Sequence, residues 1–374
     1  MKIIVLLIVC LCTSCTILKY SISEKIIPKE NCTSISIKGL PLIEVEIEDK
    51  NYNLIFDAGA MASVVNDSSV FTDFNKRKFA TFGTYSGADR KKRKNQIIPV
   101  KIKSELFESE NKMMLYSQTP KSACHKESTT KGIIGLDAFF EKGLSLLLNF
   151  TDSKICNINK LQYNKLLHEG SFKQIKSECR RNQIHVFIII DGREYKFKVD
   201  TGFSGNIVIP FSDQLNFSKY TSFALEGAFY KTLDSQTSGL EYFYENIPAE
   251  LGNEKVFTKI SVSNSIKAQN IGIEFVKRFD WLINYNQNKV YIKRNQNKVE
   301  SNFKRKVTYY AKVNNDKLEI VVKEKSQTKF NVGDVITIVN GQNVTAENQC
   351  ELQDLLNKTE DWNSIQIEVI SKSK

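Results

Sequence analysis

The amino-acid sequence predicts a mainly β protein: two copies of one β-rich lobe, followed by a small α+β module. Three observations carry this prediction. Thirteen residues ending at Asp57, "VEIEDKNYNLIFD", align without gaps on thirteen ending at Asp200, "IIIDGREYKFKVD". A second pair of matching segments follows each Asp at a similar distance. Towards the C-terminus the pattern changes to alternating apolar residues around an Asn-Gly pair, then to helical spacing.

At 374 residues the length suits two or three domains, and a hydrophobic fraction of 41% is enough to build their cores. The chain opens on "MKIIVLLIVCLCTSC". One Lys, an apolar stretch from Ile3 to Leu11 and small residues up to Cys15 read as an export signal over 1–14, too short to span a bilayer. The ending resembles a bacterial lipoprotein cleavage box: Thr13 and Ser14 fit its small positions, whereas Cys12 stands where Leu is usual. Cys15 is then the expected lipidation site, and simple secretion is the alternative. The first reading gives a lipid-anchored protein of a bacterial cell envelope, facing the periplasm or the cell surface. Residues 15–35 read as a linker.

The lobes come next. Each aligned thirteen-residue segment reads as strand, polar turn, strand, with apolar alternation on both sides of "EDKN" or "DGRE". "GLDAFF" begins at Gly135, 78 residues after Asp57, and "GIEFVKRF" begins at Gly272, 72 residues after Asp200. "LNFTDSKI" at 148–155 then matches "INYNQNKV" at 283–290, with Asn on Asn, Phe on Tyr, Lys on Lys and Ile on Val. Self-similarity at so long a period means duplicated architecture. It places the lobes at 36–160 and 161–298, each offering one carboxylate at a strand-to-loop corner.

A polar, basic run marks a linker near 295–306, and the third unit occupies 299–374. In "FNVGDVITIVNGQNVTAENQCELQDLLN" the Asn340-Gly341 pair signals a hairpin. Leu352, Leu355 and Leu356 stand at helical spacing, and "IQIEVI" at 365–370 reads as a closing strand. Val332 to Ile336 leading to Asn340 and Gly341, then an amphipathic helix, resemble a PDZ domain. Such a domain binds a peptide along a sheet edge and holds its terminal carboxylate on backbone amides. Because "TYYAKVNNDKLEIVV" has no Gly for a carboxylate loop, a structural or docking role is the alternative.

Several function classes are disfavoured. Eight Cys are scattered, with no C-x-x-C pair after residue 15, and only three His are present, so no metal site is expected. If Cys15 is lipidated, five Cys remain and at least one thiol is unpaired. The net charge of +11 favours acidic partners in general. "RKKRK" at 90–94 reads as a solvated loop, and with no recognition helix or aromatic-rich motif no nucleic-acid partner is expected.

The paired corners resemble those of the aspartic protease superfamily, in particular its retropepsin-like bacterial members, over both lobes. "VDTGFSG" matches the Asp-Thr/Ser-Gly signature through Asp200, Thr201 and Gly202; "FDAGAMA" keeps Asp57 and Gly59 but has Ala58 in the hydroxyl position. The second element, two apolar residues and a Gly, resembles Ile133, Ile134 and Gly135 in the first lobe. In the second lobe Asn270, Ile271 and Gly272 match it less well. The resemblance implies acid-protease-type barrels, an Asp57/Asp200 dyad supported by Gly59, Thr201 and Gly202, and peptide hydrolysis by an activated water. It implies no cofactor, a peptide or protein substrate, and a site complete in one monomer. It also implies a β-hairpin flap over the cleft, for which "TFGTYSGADRKKRKNQIIPV" at 81–100 is the place and Tyr85 the candidate aromatic; an exposed hairpin away from the cleft is the alternative. Ala58 removes one cross-lobe hydroxyl, and this leaves open a peptide-binding protein of the same fold with impaired turnover.

Overall fold

The structure is a computed structural model that describes residues 24–371, apart from 78, 87–91, 119–123, 125–129, 141–142, 212–216, 218, 232–235 and 297–307. The expected export signal, Cys15 and nearly all of the expected 295–306 linker lie outside the described residues.

In the first lobe, β1 (Leu42–Ile47) and β2 (Lys50–Asp57) form the hairpin read from the sequence, with Val45 opposite Tyr52. Glu48 and Asp49 make its tight turn at φ 50° and 65°, the left-handed pair that matches the twist of a two-residue hairpin. Period-2 alternation puts Ile43, Val45, Ile47, Leu54 and Phe56 inside, while Glu44 and Glu46 face outwards. The lobe continues through β3 (Val64–Val65), β4 (Ala80–Ser86), β5 (Lys92–Lys103), β6 (Phe107–Tyr116) and β7 (Gly132–Gly135). Six of these strands close a ring in the order β6-β3-β7-β2-β1-β5, with β5 pairing back onto β6. Closure removes free sheet edges and leaves one filled interior.

After β8 (Ser145–Asn149), β9 (Lys154–Ile158) and α1 (Lys160–His168), the second lobe repeats the plan. Its strands are β10 (Gln183–Ile190), β11 (Arg193–Val199), β12 (Ile207–Pro210), β13 (Ser222–Lys231), β14 (Gln236–Leu251), β15 (Glu254–Ser263) and β16 (Asn270–Ile271), followed by the short helix α2 (Ile273–Val276). Asp191 and Gly192, both at positive φ, make the hairpin turn equivalent to Glu48-Asp49. The ring β10-β11-β16-β12-β15-β14 closes through β14 onto β10, the same topology as the first lobe. The chain is therefore mainly β, with acid-protease-type barrel lobes. A single apolar core runs through both barrels, from Phe56 and Phe139 to Phe197, Phe275 and Trp281. Each such fully buried side chain contributes about 1.5–3 kcal/mol.

The duplicated "LNFTDSKI" and "INYNQNKV" segments join the lobes. β8 pairs antiparallel with β17 (Phe279–Asn284), Leu147 opposite Leu282, and β9 and β18 (Lys289–Arg294) flank them. Across this junction Phe140 stacks on Tyr285 with ring centroids 4.0 Å apart. The stretch expected as a linker over 15–35 differs from that expectation: Cys32–Ser34 adds an outer strand beside β9, and a Cys32–Cys156 disulfide fixes it. Its short β-branched run offered too little pattern to be read as a strand in isolation.

The C-terminal module has its own core around Trp362, Leu318, Ile320, Leu352 and Leu356. It contains β19 (Tyr309–Asn314), β20 (Lys317–Glu324), β21 (Val335–Val339), α3 (Gln349–Lys358) and β22 (Ile367–Ile370). Leu355, expected on the apolar face of α3, is 42% exposed; Leu352 and Leu356 alone are the inward pair, because four-residue spacing puts them above one another and Leu355 off to the side. Two links tie the module to the lobes. β20 pairs with β13, Leu225 opposite Glu324, extending the second-lobe sheet, and Cys350 on α3 forms a disulfide with Cys124 of the first lobe. Of the five Cys after residue 15, Cys179 remains a free thiol.

Candidate active site

Each Asp reaches the interface because its strand is threaded against a parallel neighbour. β2 runs parallel to β7, so Ile55, Phe56 and Asp57 stand beside Ile133, Ile134 and Gly135; β3 lies on the other side of β7, antiparallel to it. In the second lobe β11 runs parallel to β16, with Lys198 beside Asn270 and Val199 beside Ile271, and β12 flanks β16. Both strands end at the interface, and the loops Asp57-Ala58-Gly59 and Asp200-Thr201-Gly202 meet there.

The glycines make the approach possible. A Cβ at Gly59 would stand 2.5 Å from Asp200 Cγ, and a Cβ at Gly202 would stand 2.5 Å from Asp57 Cγ. Each loop therefore lays a bare backbone segment against the opposite carboxyl. The crossed loops bring the Asp57 and Asp200 carboxyls side by side, close enough for the Asp200 charge to act on Asp57. Asp57 Oδ1 also accepts from Gly59 N–H at 2.7 Å and from Gly202 N–H at 3.3 Å. Thr201 crosses the interface: its hydroxyl accepts from Ala58 N–H at 2.8 Å and donates to the Phe56 carbonyl at 2.7 Å. Asp57, Asp200, Gly59, Thr201 and Gly202 thus come together in one place.

Tyr85 lies on β4 opposite Arg93, in the hairpin with β5; the placement of its side chain and the hairpin tip at 87–91 fall outside what is described. No three His, Cys, Asp or Glu side chains among the described residues are grouped as metal ligands.

Lys198 escaped the sequence reading, and Asn270 entered it only as a weak match to the second element. Lys198 Nζ lies 3.2 Å from Asp200 Oδ2 and donates to the Gly59 carbonyl at 3.1 Å. Asn270 Nδ2 donates to the same Asp200 oxygen at 2.7 Å. A signal for both existed: the aligned first-lobe residues are Ile55 and Ile133, so a Lys and an Asn replace two apolar residues on neighbouring strands.

The electrostatics are unequal. Loss of water around the Asp57 carboxyl and then the Asp200 charge push it up to about 7, against the opposing pull of Lys198 and the Gly59 amide. Lys198 is itself shifted upwards: its burial is outweighed by Asp200 and Asp57. The arrangement is a close carboxyl pair in which Asp57 keeps its proton up to about 7, next to a fixed cation.

Two closed barrels that bring an Asp-x-Gly corner each to a shared interface define an aspartic-protease-type fold. Residues 38–146, the first lobe, match the family model of the retroviral aspartyl protease, which supports a retropepsin-like aspartic protease family for this chain. No curated protein matched the sequence.

Proposed function

We propose that the protein is an exported aspartic endopeptidase in which Asp57 and Asp200 activate a water to hydrolyse peptide bonds. The carrying observation is that each carboxyl lies against the glycine of the opposite loop, which brings the two side by side. Two carboxyls so close share one proton; the ionised oxygen takes a proton from water while the protonated partner polarises the scissile carbonyl. Ala58 lacks the hydroxyl of its counterpart, yet its own N–H is held by Thr201, which favours an active dyad over an impaired peptide-binding protein.

Two disulfides support an oxidising compartment, in keeping with an export signal over 1–14 and anchoring through Cys15. The C-terminal unit is PDZ-like in its order of elements, but it serves as a brace. Its β19 edge, where a peptide would add as a strand, is occupied by its own α3: Asn357 bonds both the N–H and the carbonyl of Ala311, and Gln353 accepts from Val313 N–H at 2.7 Å.

The test is cleavage of a mixed peptide library by purified protein lacking residues 1–15, between pH 3 and pH 8. Activity should fall as pH rises through about 7, because Asp57 then loses the shared proton. Asp57→Asn and Asp200→Asn should each lower the rate by at least about a thousandfold. Peptide binding without products in the unaltered protein would leave only the binding reading.

A further inference from the structure

We infer that Lys198 is a positioning residue that fixes the polarity of the dyad: with Asn270 it holds the negative charge on Asp200, so Asp57 carries the shared proton. The inference rests on the dyad proposed above and assigns a separate role to each carboxyl.

In a pair with equal surroundings the proton has no preferred side. Here the surroundings differ at aligned positions. Ile55 and Ile133 stand beside one another on β2 and β7 and offer no side-chain donor; Lys198 and Asn270 stand beside one another on β11 and β16, the first paired as an ammonium with Asp200 Oδ2 and the second donating to the same oxygen. Among the described residues, the hydrogen bonds to the Asp57 carboxyl come from the backbone amides of Gly59 and Gly202. An ammonium at 3.2 Å favours the charged form of a carboxyl more than an amide does, the more so here, where the Lys198 and Asp200 side chains are only 20% and 12% exposed. The bond from Lys198 to the Gly59 carbonyl ties the ammonium to the first lobe.

Among the described residues the charged groups around the dyad are few. β2 supplies Asp57, β11 supplies Lys198 with Asp200 directly after its end, and β16 supplies the uncharged Asn270. β10 brings His185 opposite Lys198, and burial together with Lys196 and Lys198 shifts His185 towards its neutral form. Lys198 is the cation that acts on both carboxyls.

The roles follow with the protons balanced. Asp200 takes a proton from water as the new C–O bond forms, and Asp57 gives its proton to the carbonyl oxygen, producing a tetrahedral diol. As the C–N bond breaks, Asp200 passes its proton to the departing nitrogen, and a diol hydroxyl returns one to Asp57.

The experiment follows the carboxyl carbons of the purified protein by NMR across pH, with Asp57→Asn and Asp200→Asn to assign them, alongside the pH–rate profile. The resonance titrating near 7 should vanish in Asp57→Asn. In Lys198→Met, and in Lys198→Gln as a second variant, its midpoint should rise by about one pH unit or more, since an attractive cation has been removed, and the rate profile should move with it. Lys198→Arg should restore both. An unmoved midpoint in folded Lys198→Met or Lys198→Gln, or a failure of Arg to restore it, would overturn the inference. A midpoint that moves as expected in a protein that cleaves no peptide would keep this inference and remove the protease reading.

Discussion

The two lobes are copies in topology and opposites in chemistry. Both close six strands, both end a hairpin strand on an Asp, and both thread that strand beside a short parallel partner. The first lobe gives its carboxyl the Gly59 amide, has Ile55 and Ile133 at the places of Lys198 and Asn270, and has Ala58 where the second has Thr201. The second lobe supplies the cation, the Asn270 amide and the cross-lobe hydroxyl. A duplicated scaffold fixes where two carboxyls meet, and a few substitutions on one copy decide what each carboxyl does.

Substitutions at matched positions test that comparison. The largest effect is expected from the glycines, where the lobes are alike. Gly59→Ala and Gly202→Ala would each put a methyl 2.5 Å from the opposite carboxyl carbon. Misplacing the dyad by about 1 Å should cut the peptidase rate on the order of a hundredfold. Equal losses in the two variants would mark the approach as symmetric, and a loss in one alone would break the likeness.

Thr201→Val comes next. It removes the acceptor of the buried Ala58 N–H and the donor to the Phe56 carbonyl, which should cost about 2–4 kcal/mol for two orphaned groups. Equilibrium unfolding in urea measures it, and a loss well below that range would mean the lobes are held elsewhere, chiefly by β8 and β17. The smallest effect belongs to Ala58→Thr, which offers the first lobe the hydroxyl that its counterpart has. A gain of about 1 kcal/mol in the same unfolding experiment is expected from one added cross-lobe hydrogen bond. A loss would show that the first lobe has closed around the Ala58 methyl, which has no exposed surface.

Much of this was legible in the chain because it depends on short-range pattern. The hairpins at 42–57 and 183–199 follow from alternation around turn residues, and the duplication follows from matching spacings. Asp57, Asp200, Gly59, Thr201 and Gly202 were found through that duplication, since a lone Asp-Thr-Gly is an ordinary turn. Lys198 was passed over for a physical reason: period 2 puts it on the same face as Asp200, but a Lys in a strand normally faces solvent, and only the approach of the other lobe covers it and brings the Gly59 carbonyl to it. Leu355 shows a similar limit, because helical spacing gives a broad apolar face and only packing selects the part that is covered.

By itself, then, the sequence determined a twice-repeated β lobe, an Asp corner in each copy and a third α+β unit, all properties of local period and turn chemistry. Tertiary structure alone decided that the corners meet with each carboxyl against the opposite glycine, that Cys124 bonds Cys350, that β20 extends the second-lobe sheet and that Lys198 reaches the Gly59 carbonyl of the other lobe. Those are contacts between residues more than a hundred positions apart or on separate strands, and no local pattern encodes distance across a closed barrel.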